Sequence, residues 1–166
     1  GVPIDRIDEF KGAIQSMAIE VGKMPTDLAD GMYQVVSAFG DGSDSLAILE
    51  TNARAAAAGL ATTTEAINLT SAVTKGYGDT SAAAVQHAAD LAFETVKLGQ
   101  TTFPELAASI GLVVPIAASL GVAQEELFGV MATGTGVTGG ASEVATQLRG
   151  VLQSLMSPTK GMTELL

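Results

Sequence analysis

The chain has 166 residues, of which 47% are hydrophobic and 16% charged, and eighteen acidic against eight basic side chains give a net charge of −10. This composition argues against intrinsic disorder, and the length suits one domain with a buried core. An acidic surface repels phosphate, so we expect no direct binding of nucleic acid. The absence of Cys excludes disulfide scaffolds, thiolate zinc sites and cysteine nucleophiles.

Apolar residues recur at helical spacing along most of the chain, and strand signals are nearly absent. The pattern predicts an all-α fold, a compact domain of about eight or nine helices. The first predicted helix ends near Gly22, the second is capped by Thr26 or Asp27, and the third by Ser43 or Asp44. The residues expected to face the core from these helices are Ile7, Phe10, Ile14, Met17, Val21, Leu28, Met32, Val35, Val36, Phe39, Leu46, Leu49, Ala53, Ala56 and Leu60.

Two Thr–Glu pairs have the spacing of a capping box, in which each side chain bonds a free backbone N–H at the helix start. Thr62 with Glu65 predicts the start of the fourth helix, and Thr102 with Glu105 predicts the start of the sixth. Glycines are expected to end the helices, with Gly76 or Gly78 after the fourth, Gly99 after the fifth, Gly111 after the sixth and Gly121 after the seventh.

The remaining elements follow from the same signals. The fifth helix is predicted from Asp79 or Thr80 to about Leu98, and the seventh from Pro115 to Leu120. The eighth starts at Ala123 or Gln124, a flexible loop covers residues 133–140, and Ser142 caps a last helix that Pro158 ends. The residues expected to face the core from the fourth, fifth, eighth and ninth helices are Ala66, Leu69, Val73, Tyr77, Val85, Ala89, Ala92, Phe93, Val96, Leu127, Val130, Met131, Val144, Leu148, Val151, Leu152 and Leu155.

Similar features recur about 60 residues apart. Gly59-Leu60 and Gly121-Val122 each precede a helix start, and Gly78 and Gly140 each precede an amphipathic helix. One interpretation is a duplicated helical unit. The other is that Ala-rich amphipathic helices with glycine ends resemble one another by chance.

The titratable residues offer little chemistry. His87 is the only imidazole, and its neighbour at i+3, Asp90, does not complete a metal site, so a structural or surface histidine is expected. Glu125 and Glu126 fall at a helix start, where the helix dipole favours anions, and we interpret them as a stabilising first turn. No catalytic and no metal-binding residue is therefore predicted.

Other polar segments also lack a catalytic or cofactor-binding pattern. The glycine-rich run 134–140 follows no strand and lacks the lysine of a phosphate-binding loop, so no cofactor is expected. Ser109 and Ser119 have no nucleophile elbow around them. The apolar stretch Ile110–Ala118, which contains Pro115, is interpreted as a buried helical turn, with contact to another chain or to a membrane as the alternative. We expect a protein that is not an enzyme.

Several segments, in this order, carry a resemblance to a known family. They are 97–107 (KLGQTTFPELA), 114–122 (VPIAASLGV), 125–127 (EEL), 145–149 (ATQLR) and 157–159 (SPT), with 28–33 (LADGMY) and 37–38 (SA) upstream. Together they resemble the conserved helical region of phage tail tape measure proteins, the phage minor tail protein type, over about residues 24–160. No single motif is specific, and the resemblance rests on their order and spacing.

The resemblance implies a structural module of a phage or prophage tail, involved in tail assembly, tail length determination and genome delivery. It implies tail assembly chaperones, tail tube and tail tip or baseplate proteins, and other copies of the parent chain as partners. The implied location is the tail lumen of the virion, after assembly in the host cytoplasm. Membrane contact through Ile110–Ala118 during infection is a further interaction that the resemblance implies, although folding should bury that stretch.

The expected organisation is an N-terminal helix over 1–22, which could act as a connector, a helical tape measure module over 23–161, and the start of a truncated helix over 162–166. A chain that begins without Met and stops in such a segment suggests a fragment of a longer protein. The alternative function is a helical partner-binding module of a bacterial secretion or toxin system.

Overall fold

The computed structural model describes residues 4–157, and the side chains from Arg6 onward. Within this range the fold is all-α, 82% helical and without strands, which confirms the predicted class. The predicted helix start at 162–166 and the helix-ending Pro158 lie outside the described residues. The helices are α1 Ile4–Val21, α2 Pro25–Phe39, α3 Ser45–Ala58, α4 Thr63–Tyr77, α5 Ala82–Leu98, α6 Phe103–Ser109, α7 Val114–Ser119, α8 Gln124–Thr138 and α9 Ala141–Met156, with a 3-10 turn at Ile110–Leu112.

Both predicted capping boxes are present. The backbone N–H of Glu65 donates to Thr62 Oγ1 at 3.2 Å, and the N–H of Thr62 donates to Glu65 Oε2 at 2.8 Å. Thr102 and Glu105 make the same two bonds at the start of α6, each of 3.3 Å. These pairs satisfy backbone donors that would otherwise have no partner at the helix start.

Other helix starts differ from the prediction. Helix α2 begins at Pro25 after Met24, because proline suits the first helical turn, and neither Thr26 nor Asp27 caps it. Asp44 occupies the cap position of α3, as one of the two predicted alternatives, but makes no side-chain cap bond.

The predicted starts of α5 and α9 also differ from the observed ones. Ser81, rather than Asp79 or Thr80, caps α5 by accepting a bond from the N–H of Ala84. Gly140, rather than Ser142, precedes α9, without a side-chain cap bond.

The predicted loop at 133–140 was wrong. Helix α8 continues to Thr138 and ends at Gly139, whose φ of 81° is left-handed. Thr135 is fully buried, and its hydroxyl donates to the carbonyl of Met131 at 2.8 Å. Because glycine and threonine favour helix weakly, tertiary packing must hold this half of α8.

Six residues predicted to face the core are exposed instead. On α5 the buried positions are Val85, Ala88, Ala89, Ala92 and Thr95, which leave Phe93 at the edge of the helix, 42% exposed. Residues at the edges of α1, α8 and α9 and after α3 depart in the same way, since each buried stripe is narrower than the apolar pattern. They are Ile7, Val130, Val151, Leu155 and Leu60, which is 92% exposed with a φ of 53°.

Two clusters of buried side chains form the core. The first cluster joins α1, α2 and α3, with one residue each from α4 and α5, and the second joins α3 to α9. Helix α4 supplies Ile67 to the first cluster and Leu69 and Val73 to the second. It contacts α2, α3, α5, α6 and α7, so it lies at the centre of the fold.

The N-terminal helix packs on this core. Phe10 and Met17 of α1 are buried in the first cluster, and Arg6 donates to Asp41 Oδ1 at 2.9 Å, beyond the end of α2. The guanidinium of Arg6 also lies 4.8 Å from the centre of the Phe10 ring. Whether 1–22 acts as a connector stays a hypothesis.

Helices α4 and α8 share two features that bear on the duplication. Each has 15 residues, and each ends at a left-handed glycine, Gly78 with φ 80° and Gly139 with φ 81°. The duplication itself stays an interpretation.

The crossing of α2 over α4 depends on a glycine and a carboxylate. A Cβ added at Gly31 would lie 2.5 Å from Thr63 Cγ2. Asp27, one turn earlier on α2, accepts a bond of 2.6 Å from the Thr63 hydroxyl and a bond of 3.2 Å from the Thr63 N–H. Helices α2 and α4 therefore approach closely at Gly31, and one turn earlier the hydrogen bonds of Asp27 join them.

We predict that Gly31→Ala lowers the free energy of unfolding by about 1–3 kcal/mol, as overpacked core substitutions do. Thr63 cannot rotate away from the new methyl group without losing its bond to Asp27. The matched control is Gly150→Ala, since Gly150 lies in the middle of α9 with nothing near a new Cβ. That change should raise the free energy of unfolding by about 0.5–1 kcal/mol. Urea denaturation measures both, and equal effects would contradict the close crossing.

A second pair tests the helical state of the glycine-rich run. Gly136→Ala adds a methyl group with nothing within 4 Å and should stabilise α8 by about 0.5–1 kcal/mol. Gly134→Ala brings the methyl group to 2.6 Å from Val144 Cγ1 and should destabilise the contact between α8 and α9. Amide hydrogen exchange of residues 133–138 reads out both changes. If both substitutions slow exchange, Val144 does not pack on Gly134.

Candidate functional site

The polar residues singled out in the sequence do not form one site. His87 Nε2 on α5 lies 2.8 Å from Glu125 Oε1 on α8, at the surface. Asp90 instead accepts a bond of 2.8 Å from the side-chain amide of Gln86. Among the residues that the structure describes, no three His, Asp or Glu side chains are grouped so that they could hold a metal ion.

The pair between His87 and Glu125 was not predicted, because 38 residues separate its members and no local spacing signals it. Glu125 and Glu126 do lie in the first turn of α8, as expected, and Glu126 Oε2 accepts a bond of 3.2 Å from the N–H of Ala123. The pKa of Glu125 lies below its ordinary value, first because its own backbone N–H bonds the carboxylate and second because His87 does. This pair fastens α5 to α8.

Tyr77 lies near the same helix start. Burial raises the pKa of its phenol, and the charges of Glu125 and Glu126 raise it further. The buried hydroxyl has no hydrogen-bond partner in the described part of the chain. The phenol therefore lies close enough to the first turn of α8 for the charges of its two carboxylates to act on it.

The two serines are used locally. Ser109 donates to the carbonyl of Glu105 at 2.8 Å, and Ser119 donates to the carbonyl of Ile116 at 2.9 Å. Such bonds satisfy a hydroxyl within its own helical turn. Neither serine has a histidine as a hydrogen-bond partner among the described residues.

The apolar stretch Ile110–Ala118 forms helical turns that are buried on one side, in agreement with its interpretation as a buried helical turn, while Leu112 on the other side is 44% exposed. Ile110, Val113, Val114 and Ala117 are each 0% exposed and belong to the second core cluster. In the described range 4–157, no helix combines the length and the apolar character that crossing a membrane requires.

The surface has two apolar grooves that the sequence pattern did not reveal. The first groove lies between α1 and α2, has a volume of about 820 Å³, and is formed mainly by apolar side chains. Phe10 and Met32 are buried at its base, whereas Ile7 and Tyr33 at its edges are 51% and 76% exposed. Among the described residues that line it, Lys11 is the one with a charged side chain.

The second groove lies between α8 and α9 and has a volume of about 840 Å³. Leu127 and Leu152 are buried in it, Val130 is 46% exposed, and Gly129 and Thr133 leave room between the helices. Of the lining residues within the described part of the chain, Glu126 alone is charged. Grooves of this kind are sites where proteins receive a helix or another apolar segment.

Comparison with known proteins identifies a family. A family model described as phage-related minor tail protein matches residues 12–166. The match therefore covers α2 to α9, the second half of α1 and the whole of the second groove, whereas Ile7, Phe10 and Lys11 of the first groove lie before it. No curated protein and no solved structure gives a significant match.

We predict that His87→Ala raises the pKa of Glu125 but leaves it below its ordinary value, since the first cause of the lowering is the backbone N–H of Glu125. Because this pKa is lower in the folded than in the unfolded chain, ionised Glu125 stabilises the fold above the unfolded pKa. That contribution is lost as the pH falls through the folded pKa.

Carbon NMR titration of the glutamate and aspartate carboxyls measures the change. Asp79 is the internal control, because hydrogen bonds from Ser81 lower its pKa independently of His87. An unchanged pKa of Glu125 in the His87→Ala variant would show that the imidazole does not reach the carboxylate in solution.

Proposed function

The chain belongs to the phage-related minor tail protein family, and from this premise we propose that it is a structural module of a tail tape measure protein. Membership in this family supports a structural role in a phage tail and association with the virion. The observation that carries the proposal is the match over residues 12–166. The assignment to a tape measure protein is supported by the short segments between residues 97 and 159, whose order and spacing resemble those of tape measure proteins.

The fold suggests which part of a ruler this module would be. A tape measure sets length through the rise of its chain, about 1.5 Å per residue in a continuous helix. Here the longest described helix, α1, has 18 residues, and the helices fold back on one another around α4. We therefore propose a compact module carried by the ruler, with tail length set chiefly by other segments.

The proposed role is structural rather than enzymatic. The polar side chains singled out in the sequence serve caps, turns and helix contacts, as Thr62, Glu65 and Ser109 show. The proposed partners are tail assembly chaperones, tail tube and tail tip or baseplate proteins, and other copies of the parent chain. The tail lumen, tail length determination and genome delivery are likewise part of the proposal.

Tail length tests the proposal directly. We predict that a second copy of residues 23–157, inserted in tandem in the parent gene, lengthens the tail by less than the about 1.5 Å per residue that a continuous helix adds. The control inserts an uninterrupted helix-forming heptad sequence with the same number of residues at the same point. Electron microscopy of purified particles measures both tails.

Two outcomes would contradict the tape measure assignment. If neither insertion changes tail length, the module belongs to a different minor tail protein. If mass spectrometry does not find the parent chain in purified virions, and genes for a secretion system rather than tail tube and baseplate genes flank it, the partner-binding alternative is correct.

A further inference from the structure

We propose that the groove between α1 and α2 binds one amphipathic helix of another polypeptide, and that this helix presents a carboxylate to Lys11. The inference rests on three features of the groove: the spacing of its walls, its single charge and its exposure. It concerns which occupant the groove fits, and it does not depend on the tape measure assignment.

The walls have the spacing that a packed helix needs. From α1 the groove is lined by Ile7, Lys11 and Ile14, at i, i+4 and i+7. From α2 it is lined by a row of the same spacing, Ala29, Tyr33 and Val36. Rows at i±4 and i±3 are the ridges into which the side chains of a neighbouring helix interdigitate. A third helix laid along both rows would complete a three-helix layer.

The length of the groove sets the length of the occupant. On α2 the lining residues run from Pro25 to Ser37, which at the helical rise corresponds to about 18 Å. A helix of about three turns spans that distance. Its apolar side would cover Tyr33 and Ile7, which are large, exposed and adjacent to the buried base of the groove.

Lys11 determines the charge of the occupant. Within the residues whose side chains the structure describes, Lys11 forms no ion pair, whereas Arg6 and Lys23 nearby each pair with an aspartate. A cation among apolar walls favours a partner that supplies an opposite charge. The long methylene stem of Lys11 can lie along the occupant while its ammonium reaches a carboxylate.

A second copy of the chain fits this groove less well. A symmetric dimer brings the same patch of two copies together, so each Lys11 would lie in a seam to which the described lining residues contribute no carboxylate. The net charge of −10 on each copy adds repulsion. The groove is therefore assigned to a different polypeptide.

A designed helix tests the charge and the place of binding together. The probe is a labelled, stapled peptide of about three turns with leucines at i, i+3, i+7 and i+10 and one glutamate at i+4. The matched peptide has lysine in place of that glutamate, and a scrambled peptide has the same composition without a stripe. Each is titrated at low salt against the native chain and the Lys11→Glu variant, by fluorescence anisotropy.

We expect the glutamate peptide to bind the native chain about fivefold more tightly than the lysine peptide, and Lys11→Glu to reverse this order. Ile7→Ser and Tyr33→Ser should each weaken binding at least about fivefold. Ile19→Ser is the control and should leave binding unchanged, because Ile19 lies outside the groove, although it is on the same helix and 86% exposed. Circular dichroism verifies that each variant folds, and amide shifts on binding should fall on α1 and α2.

Several results would overturn the proposal. Binding that is absent at millimolar peptide, that shifts only amides outside α1 and α2, or that is equally tight for all peptides would do so. If the glutamate peptide still binds the Lys11→Glu variant more tightly than the lysine peptide does, Lys11 does not determine the charge of the occupant. A dimer in sedimentation that Tyr33→Ser dissociates would show that a second copy occupies the groove.

Discussion

The helices of this protein can pack as they do only where the side chains between them are small. Helix α4 touches α2, α3, α5, α6 and α7, and the crossing with α2 leaves no room for a methyl group at Gly31. The same holds where Gly76 meets Val114 of α7 and where Gly59 meets Phe103 of α6. With only 4% aromatic residues, the chain fills its core by close approach of helices rather than by large rings, so a small excess volume at these points displaces a whole helix.

Two polar contacts join neighbouring helices where they cross. Asp27 leaves the start of its own helix uncapped and instead bonds the N–H and hydroxyl of Thr63, in the first turn of α4. A carboxylate at that position is also favoured by the dipole of α4. The buried Asn52 similarly accepts from the Thr70 hydroxyl at 2.9 Å, between α3 and α4. Both contacts fix the rotation of one helix relative to the next.

Local signals predicted the helices well, because periodicity, capping boxes and glycine ends act within a few residues. The same signals failed where distant contacts outweigh propensity. Residues 133–138 resemble a loop, yet Thr135 is buried and Gly134 lies against Val144 of the next helix. The bonds of Asp27 to Thr63 and of His87 to Glu125 were not predicted for a related reason, since the partners are 36 and 38 residues apart in the chain. The two grooves arise from how helices are arranged, which one sequence does not reveal.

The end of α8 is helical but has a low intrinsic helix propensity, so it would resist mechanical tension less than the other helices. A residue in an α-helix advances the chain by about 1.5 Å, and an extended residue by about 3.3 Å. Every residue that leaves the helix under tension therefore adds contour length. Residues 133–138 are held by the contact of Gly134 with Val144 on α9 and by that of Thr135 with Gly99, just after α5, rather than by propensity. Force applied through α9 would unfold this segment before the alanine-rich turns of α5, so extension of the module would begin at the C-terminal end of α8.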